Sequence, residues 1–358
     1  MKNKVSIKVK AALKTAAYIV CAVALLSPAV QAQQAGNKTT DAIYIYSGTD
    51  RHQRLIDNAR KEGGMTFYTS MAPTESRPLV DAFEKKYGIK VNLWRASNEN
   101  LIQRITTEAQ SKRHTFDVLE TNGTVLEIMS REKLLSPFYT PYEADFPPTA
   151  VPANKMWMPT RLNYLVTAFN TDKVKREELP KTYEGFTDPK WKNRLTIEVG
   201  DWDWRYTIQG QLSEEKAKAF IKNLASQNPE LRKGHPLLAK LVGAGEVPIS
   251  LTTFLSNVIS EKRTGSPIDY VPITPVLAVP FGIGLAKHAP HPHSAALFAD
   301  YVLSPEGQQL LESLGRLPAS TKVKQTSVNF PFVVLDVNAS IDDSEKRQKV
   351  WDDTFIKR

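Results

Sequence analysis

The sequence predicts an α/β fold, built as two lobes with a cleft between them, and three observations predict it. Three strand–helix units follow one another directly after residue 50, the pattern of a parallel sheet with helices on both faces. A second α/β block runs from about 170 to 265, beyond an interruption rich in Pro and aromatic residues. The remaining tail has helices but few strands, so it packs sensibly only by returning to complete the first block. Two strands must then cross between the lobes.

Taken in order, Arg51–Lys61 carries Leu55, Ile56 and Ala59 at helical spacing, and Gly63-Gly64 stops it. Met65–Thr69 is a short β-rich run. Glu75–Tyr87 sets Leu79, Val80, Phe83 and Tyr87 on one helical face, and Gly88 ends it. Ile89–Trp94 alternates as a strand, and Asn98–Ser111 is a helix with Leu101, Ile102, Ile105 and Ala109 on its buried stripe. Phe116–Leu119 is the next strand.

Ser136–Pro159 reads as an ordered but irregular excursion. Leu162–Phe169 is a buried strand, Leu195–Val199 another, and Trp202–Leu212 opens a helix. Leu237–Val242 and Thr253–Lys262 are helical, with the strand Val247–Leu251 between them. Ile268–Val279 is extended and contains two prolines, suiting a chain that crosses between lobes. Helices follow over Ser294–Leu303, Glu306–Leu314 and about Asp343–Phe355.

The N-terminus sets the expected compartment. Lys2, Lys4, Lys8, Lys10 and Lys14 precede the apolar run Ala16–Leu26, which is too short to span a bilayer. Pro28, Val30 and Ala32 complete the layout of a cleaved signal peptide over 1–32, so the mature chain is expected in the periplasm. Cys21 follows Val20 rather than a small residue, which argues against a lipoprotein. The polar stretch after it, within 33–46, reads as a flexible leader. Removing the five lysines lowers the formal charge from +9 to +4, too little to argue for nucleic acid. The lone cysteine leaves as well, so the mature chain has no disulfide and no thiolate chemistry. The lobes are expected at 47–162 and 163–272, with 273–358 completing the first lobe and adding the C-terminal helices.

Several segments resemble the ABC-importer solute-binding proteins of the ferric-ion-binding type. They are Leu55–Ser70 (LIDNARKEGGMTFYTS), Phe83–Val91 (FEKKYGIKV), Phe186–Arg194 (FTDPKWKNR), Ala244–Pro248 (AGEVP) and Ala289–Leu311, followed by Gly315-Arg316 and Pro318-Ala319. The order is collinear over nearly the whole mature chain. The resemblance implies a type-2 periplasmic-binding-protein fold that closes by hinge motion on a small-molecule ligand and docks, as a monomer, on a permease in the inner membrane. It implies no cofactor and no catalysis. It also implies a His and a Glu from the first lobe and a Tyr-Tyr pair from the second as iron ligands. At those positions this chain has Ser70-Met71-Ala72-Pro73, Asn122 and Phe254-Leu255. None supplies the anionic oxygen that ferric iron wants, so no metal ligand is assigned. An organic cation or another small polar solute is the expected cargo.

Candidate ligand contacts come from loops at strand ends, where open α/β sheets place ligands. The run Gly200-Asp201-Trp202-Asp203-Trp204-Arg205 lies between a strand and a helix. In the family this helix N-terminus cradles an anion. Here Asp201 beside Trp202 and Trp204 suits a cation through ion pairing and cation–π attraction, although an N-cap with packing indoles explains the same residues. Ser70, Met71 and Ala72 follow the first strand, and Thr121, Asn122 and Gly123 the third. Arg161 precedes the crossing strand, where it meets either an anionic group or a structural carboxylate. Thr253 and Phe254 inherit the position of the family's second-lobe ligands. His288, His291 and His293 are read as an extended lead into a helix, and His52, His114 and His235 as isolated. No nucleophile elbow, H-E-x-x-H, phosphate-binding loop or dinucleotide fingerprint occurs. An exported hydrolase using the cleft and a ligand-sensing adaptor for a membrane receptor are the alternatives.

Overall fold

The computed structural model describes residues 40–210 and 212–356. The expected signal peptide over 1–32 and residues 33–39 of the leader lie outside them; the rest of the expected flexible leader is corrected, since residues 40–45 are helical and Tyr44 is fully buried, donating to the Ala286 carbonyl at 3.1 Å. Helix α1 (Arg51–Glu62) buries Leu55 and Ala59 and ends at Gly63, whose φ of 77° lets its N–H reach the Ala59 carbonyl. Strand β1 (Gly64–Thr69), helix α2 (Pro73–Tyr87), strand β2 (Lys90–Arg95), helix α3 (Asn98–Gln110) and strand β3 (Val118–Asn122) follow as the spacing predicts. Both β2 and β3 pair parallel to β1. Helix α4 (Gly123–Arg131) starts at once, capped by the Asn122 side chain, which accepts from the Val125 N–H. This helix was not foreseen.

After a short strand β4 (Leu135–Ser136) the excursion is irregular, carrying two single 3-10 turns. Strand β5 (Trp157–Asn170) begins five residues before the predicted start, and all of it is buried. Its first half, Trp157–Tyr164, pairs antiparallel with β10 (Val276–Ala286). Its second half, from Leu165, pairs with β8 (Ile249–Phe254) and β9 (Ile268–Val271). The strand therefore leaves one sheet region and enters another at the Tyr164–Leu165 step. The second region continues through β6 (Leu195–Glu198) and β7 (Glu230–Arg232), both parallel to β8 in direction. It is dressed by α5 (Trp202–Gln209), α6 (Glu214–Ser226), α7 (His235–Gly243) and α8 (Leu255–Arg263). The return from β9 to β10, through a cis Thr274–Pro275 bond, is the second crossing.

The tail contributes α9 (Pro292–Leu303), α10 (Pro305–Ser313), β11 (Phe332–Val334), α11 (Val337–Asp342) and α12 (Ser344–Trp351). Phe298 and Tyr301 of α9 pack on Phe83 of α2, so α9 does complete the first core. The last helix does not stay there. Trp351, entirely buried, and Phe355 join the second core with Trp191, Trp204 and Phe220. Arg347 donates to Asp203 at 2.6 Å and Ser340 donates to its other oxygen at 2.7 Å, tying α11 and α12 to α5. Within 273–358, α9 thus packs on the first core while the last helix packs on the second. An indole of that size buries itself where a cavity of matching shape exists, and the second core supplies it. Among the described residues, no helix is long and apolar enough to cross a membrane.

Candidate ligand cleft

The C-terminal ends of β1 and β3 from one side, and of β6, β7 and β8 from the other, point toward the level of β5 between Arg161 and Leu165. The pairings fix this: Arg161 faces Phe281, which faces Asn122, and Leu165 faces Phe254. Strand-end loops from both regions therefore meet across one cleft.

The first wall is a network of paired charges. Glu120 of β3 is fully buried and accepts from Thr69 Oγ1 at 2.6 Å and from Thr160 Oγ1 at 3.3 Å. The Arg161 guanidinium completes the set with an ion pair to Glu120 and lies 4.5 Å over the Phe281 ring. Arg161 is only 4 % exposed, so of its two predicted roles the structural one is what the fold gives it. Glu75, in the first turn of α2, pairs with Arg316. Burial still pushes the Glu75 carboxyl above its ordinary range, against the pull of Arg316 and Arg161. Arg316 also reaches Ser256 Oγ at 3.5 Å, on the first turn of α8, so it links the two walls.

Around this network lie neutral polar groups. Thr121 donates toward Asn98 Oδ1 at 2.8 Å and Ser70 Oγ at 3.1 Å. Thr69 Oγ1 accepts from the Met71 N–H at 2.9 Å, which shapes the turn into α2. Ser70, Ala72 and Asn122 are partly exposed, while Met71, Thr121 and Gly123 are buried. Gly123 is not a free loop residue: a Cβ there would stand 3.1–3.2 Å from Pro280, Val337 and Trp157.

The second wall is built differently. Glu198, at the end of β6, accepts from the Gly200 N–H with one oxygen and from the Gly234 N–H at 3.0 Å with the other. Its own N–H donates to Thr252 Oγ1 at 3.0 Å. Asp201 stands at the N-cap of α5 but makes no side-chain capping bond. One of its oxygens is 3.6 Å from His235 Nε2, and the other is shielded from water without a hydrogen-bond partner. Burial, and then the neighbouring charge of Glu198, push the Asp201 carboxyl well above the carboxylate range. His235 opens α7 after Gly234, with its ring 3.7 Å from the Phe254 ring centroid. Burial depresses its imidazole to about 3, which keeps it neutral. Donor atoms of Glu198, Asp201 and His235 all lie within 4.8 Å of one another.

Asp201, Trp202 and Phe254 are thus brought together at a partly exposed wall. Trp204 is not with them: it is fully buried, edge-on to Tyr183 at 5.1 Å, and belongs to the second core. On a helix, residues two apart face different sides. Thr253 is also buried, donating to Ser250 Oγ at 2.7 Å. Glu198 and His235 were missed, and the reading of His235 as isolated is corrected. They are distant in sequence and meet because β6 and β7 run parallel, so the turns after both strands open on the same edge. His291 bonds Asp117 and His293 bonds Glu62, each at a helix lead as expected.

Residues 78–331 match the family model described as bacterial extracellular solute-binding protein. The chain belongs to this family. The solute-binding protein is 22% identical over 264 residues to an Fe(3+)-binding periplasmic protein of Serratia marcescens, covering 71% of this chain and 78% of the relative. It is 23% identical over 297 residues to a putative 2-aminoethylphosphonate-binding periplasmic protein of Salmonella typhimurium, covering 77% and 82%. In shape it is similar to iron-bound HitA from Pseudomonas aeruginosa, with a TM-score of 0.68 at 20% identity over 81% of this chain and 99% of that one. A second neighbour is AfuA from Actinobacillus pleuropneumoniae with fructose-6-phosphate bound, with a TM-score of 0.67 at 21% identity, covering 82% and 98%. The fold is therefore the two-lobed periplasmic-binding-protein fold, with crossing strands at β5 and at the β9–β10 return. The Serratia and Salmonella relatives are both described as periplasmic binding proteins.

Proposed function

We propose that this periplasmic solute-binding protein captures a small solute bearing positive charge and delivers it to an inner-membrane permease. Cleavage after a signal peptide over 1–32 exports it. The lobes, 47–162 and 163–272 with the tail bridging both, close on the solute by rotation about the crossing strands. The observation that carries the ligand class is the second wall: the acids Glu198 and Asp201 lie together without a cationic partner, and the Trp202 ring and a Glu198 oxygen both stand within 4 Å of where a Cβ on Gly200 would be. A cation there gains both ion pairing and a ring face. The ferric ligand positions of the family hold Ser70–Pro73, Asn122 and Phe254-Leu255, which cannot reproduce a His, Glu and Tyr-Tyr set. An aminophosphonate, suggested by the Salmonella relative's name, fits the same reading through its ammonium end.

A thermal-shift screen across polyamines, quaternary amines, aminophosphonates, phosphosugars and ferric salts tests this, because a ligand of the native state raises the midpoint by mass action. Positively charged solutes are expected to raise it, and Asp201→Asn with Trp202→Ala to abolish the shift. Shifts from purely anionic solutes alone would overturn the reading.

A further inference from the structure

Within that acidic wall the donor atoms are of three kinds, and their chemistry narrows the cation. We infer that Glu198, Asp201 and His235 form a binding site for a divalent first-row transition metal ion, an inference that rests on the cationic reading of the second wall. These are not the positions at which the resemblance expects iron ligands, and the ion they suit is not ferric.

Three observations converge. The first is composition: two carboxylates and one imidazole, with donor atoms within 4.8 Å of one another. Ligands around one such ion stand roughly 3.3 Å apart when metal–ligand distances are about 2.1 Å, and Asp201 Oδ1 already lies 3.6 Å from His235 Nε2. The other donor separations, up to 4.8 Å, contract by as much as about 1.5 Å when an ion closes the set. The second is the state of the donors. Asp201 Oδ2 and His235 Nδ1 are both shielded from solvent without a hydrogen bond of good geometry, Thr252 being the neighbour that interacts with each residue. Glu198 is oriented by two backbone N–H groups, from Gly200 and Gly234, each taking one lone pair and leaving another on each oxygen.

The third is charge balance. With an ion bound in place of its proton, Asp201 joins Glu198 in supplying two negative charges, which a divalent ion cancels and a single ammonium does not. The nearest further acid, Asp203, is already neutralised by Arg347. Oxygen-only ions such as calcium are disfavoured because the imidazole nitrogen suits zinc, cobalt, nickel or copper. Since Asp201 and His235 remain partly exposed, further coordination positions open toward the cleft, where a chelating solute would supply the rest.

The test uses the mature chain freed of metal by a chelator. Cobalt(II) chloride is titrated while visible absorption is followed, and zinc chloride is titrated by calorimetry. One saturable site per chain is expected. His235→Ala and Asp201→Asn should each weaken zinc binding by roughly tenfold or more, and His235→Gln covers the case in which the alanine variant unfolds. A His291→Ala/His293→Ala double variant should leave zinc binding unchanged. The inference falls if no saturable signal appears up to about 1 mM metal, if binding survives the His235 and Asp201 changes, or if it is lost with His291 and His293. If amines shift the melting midpoint while cobalt and zinc do not bind, the metal site fails and the cationic receptor stands. If only anions bind, both fail.

Discussion

The two walls of the cleft both bury acids, and they handle the charge in opposite ways. On the first wall Glu120 meets Arg161 and Glu75 meets Arg316, so each buried carboxylate has a guanidinium. On the second wall Glu198 and Asp201 meet backbone N–H groups and a neutral imidazole, with no paired cation of their own. A buried ion pair is a closed account: its charges cancel, and removing one member leaves the other stranded. A buried acid without a cation instead has its carboxyl pushed up, which is what burial and then Glu198 do to Asp201. The contrast separates a frame from a responsive surface. The first wall holds β3, β5 and the α2 start in place, and the second leaves its acids without a paired cation.

The largest expected effect breaks the first wall. Arg161→Met leaves Glu120 fully buried without its guanidinium, which should destabilise the protein by about 3–5 kcal/mol in urea unfolding. A loss near zero would mean that Glu120 needs no partner, and the contrast between the walls would vanish. Trp351→Ala should cost a similar amount, about 3–5 kcal/mol, because it empties a site in the second core. If it unfolds with unchanged midpoint, the tail does not tie itself to the second region.

A third prediction asks whether pairing always wins in the first region. Asp300 pairs with Arg51 under the surface, yet burial raises its carboxyl from 3.8 to about 6. A raised acid binds its proton more tightly when folded, so its contribution is greatest below the unfolded value and declines as pH rises through about 6. Stability of the parent relative to Asp300→Asn should therefore fall by up to about 3 kcal/mol between pH 4 and 7. Thermal midpoints of the two proteins across that range measure it, and a flat or rising difference would contradict the direction. The smallest effect belongs to the second wall. Asp201→Asn removes an acid that costs stability when ionised, so it should leave stability within about 1 kcal/mol of the parent or raise it. A loss of several kcal/mol would show that Asp201 is a structural partner after all, like Glu120.

Much of the frame was legible in the residues. The stripe Leu79, Val80, Phe83 and Tyr87, with Gly88 in a left-handed conformation after it, is local information, and helix periodicity reports it directly. The start of β5 was not legible, because Trp157–Arg161 carries a proline and an arginine and only the partner strand β10 makes it a strand. Arg161 itself was ambiguous for the same reason. Its carboxylate is on β3, and β10 lies between them in the sheet, so the pair exists only once three strands are in register. Trp204 looked like a cleft residue beside Trp202, but helical geometry turns it inward.

The candidate site divides along the same line. Asp201 and Trp202 stand out in the chain because an acid and an indole at a strand–helix junction are a local pattern. His235 and Glu198 do not, since each is ordinary where it stands, and nothing nearby hints at the other. From the sequence alone came the α/β alternation, the family resemblance and the expectation of an exported chain. These depend on order and spacing, which the chain carries in itself. Only the tertiary structure decided which acids are neutralised and which are left facing a neutral histidine. Charge compensation depends on distance in space, and parallel strand pairing creates those distances between residues that the sequence keeps apart.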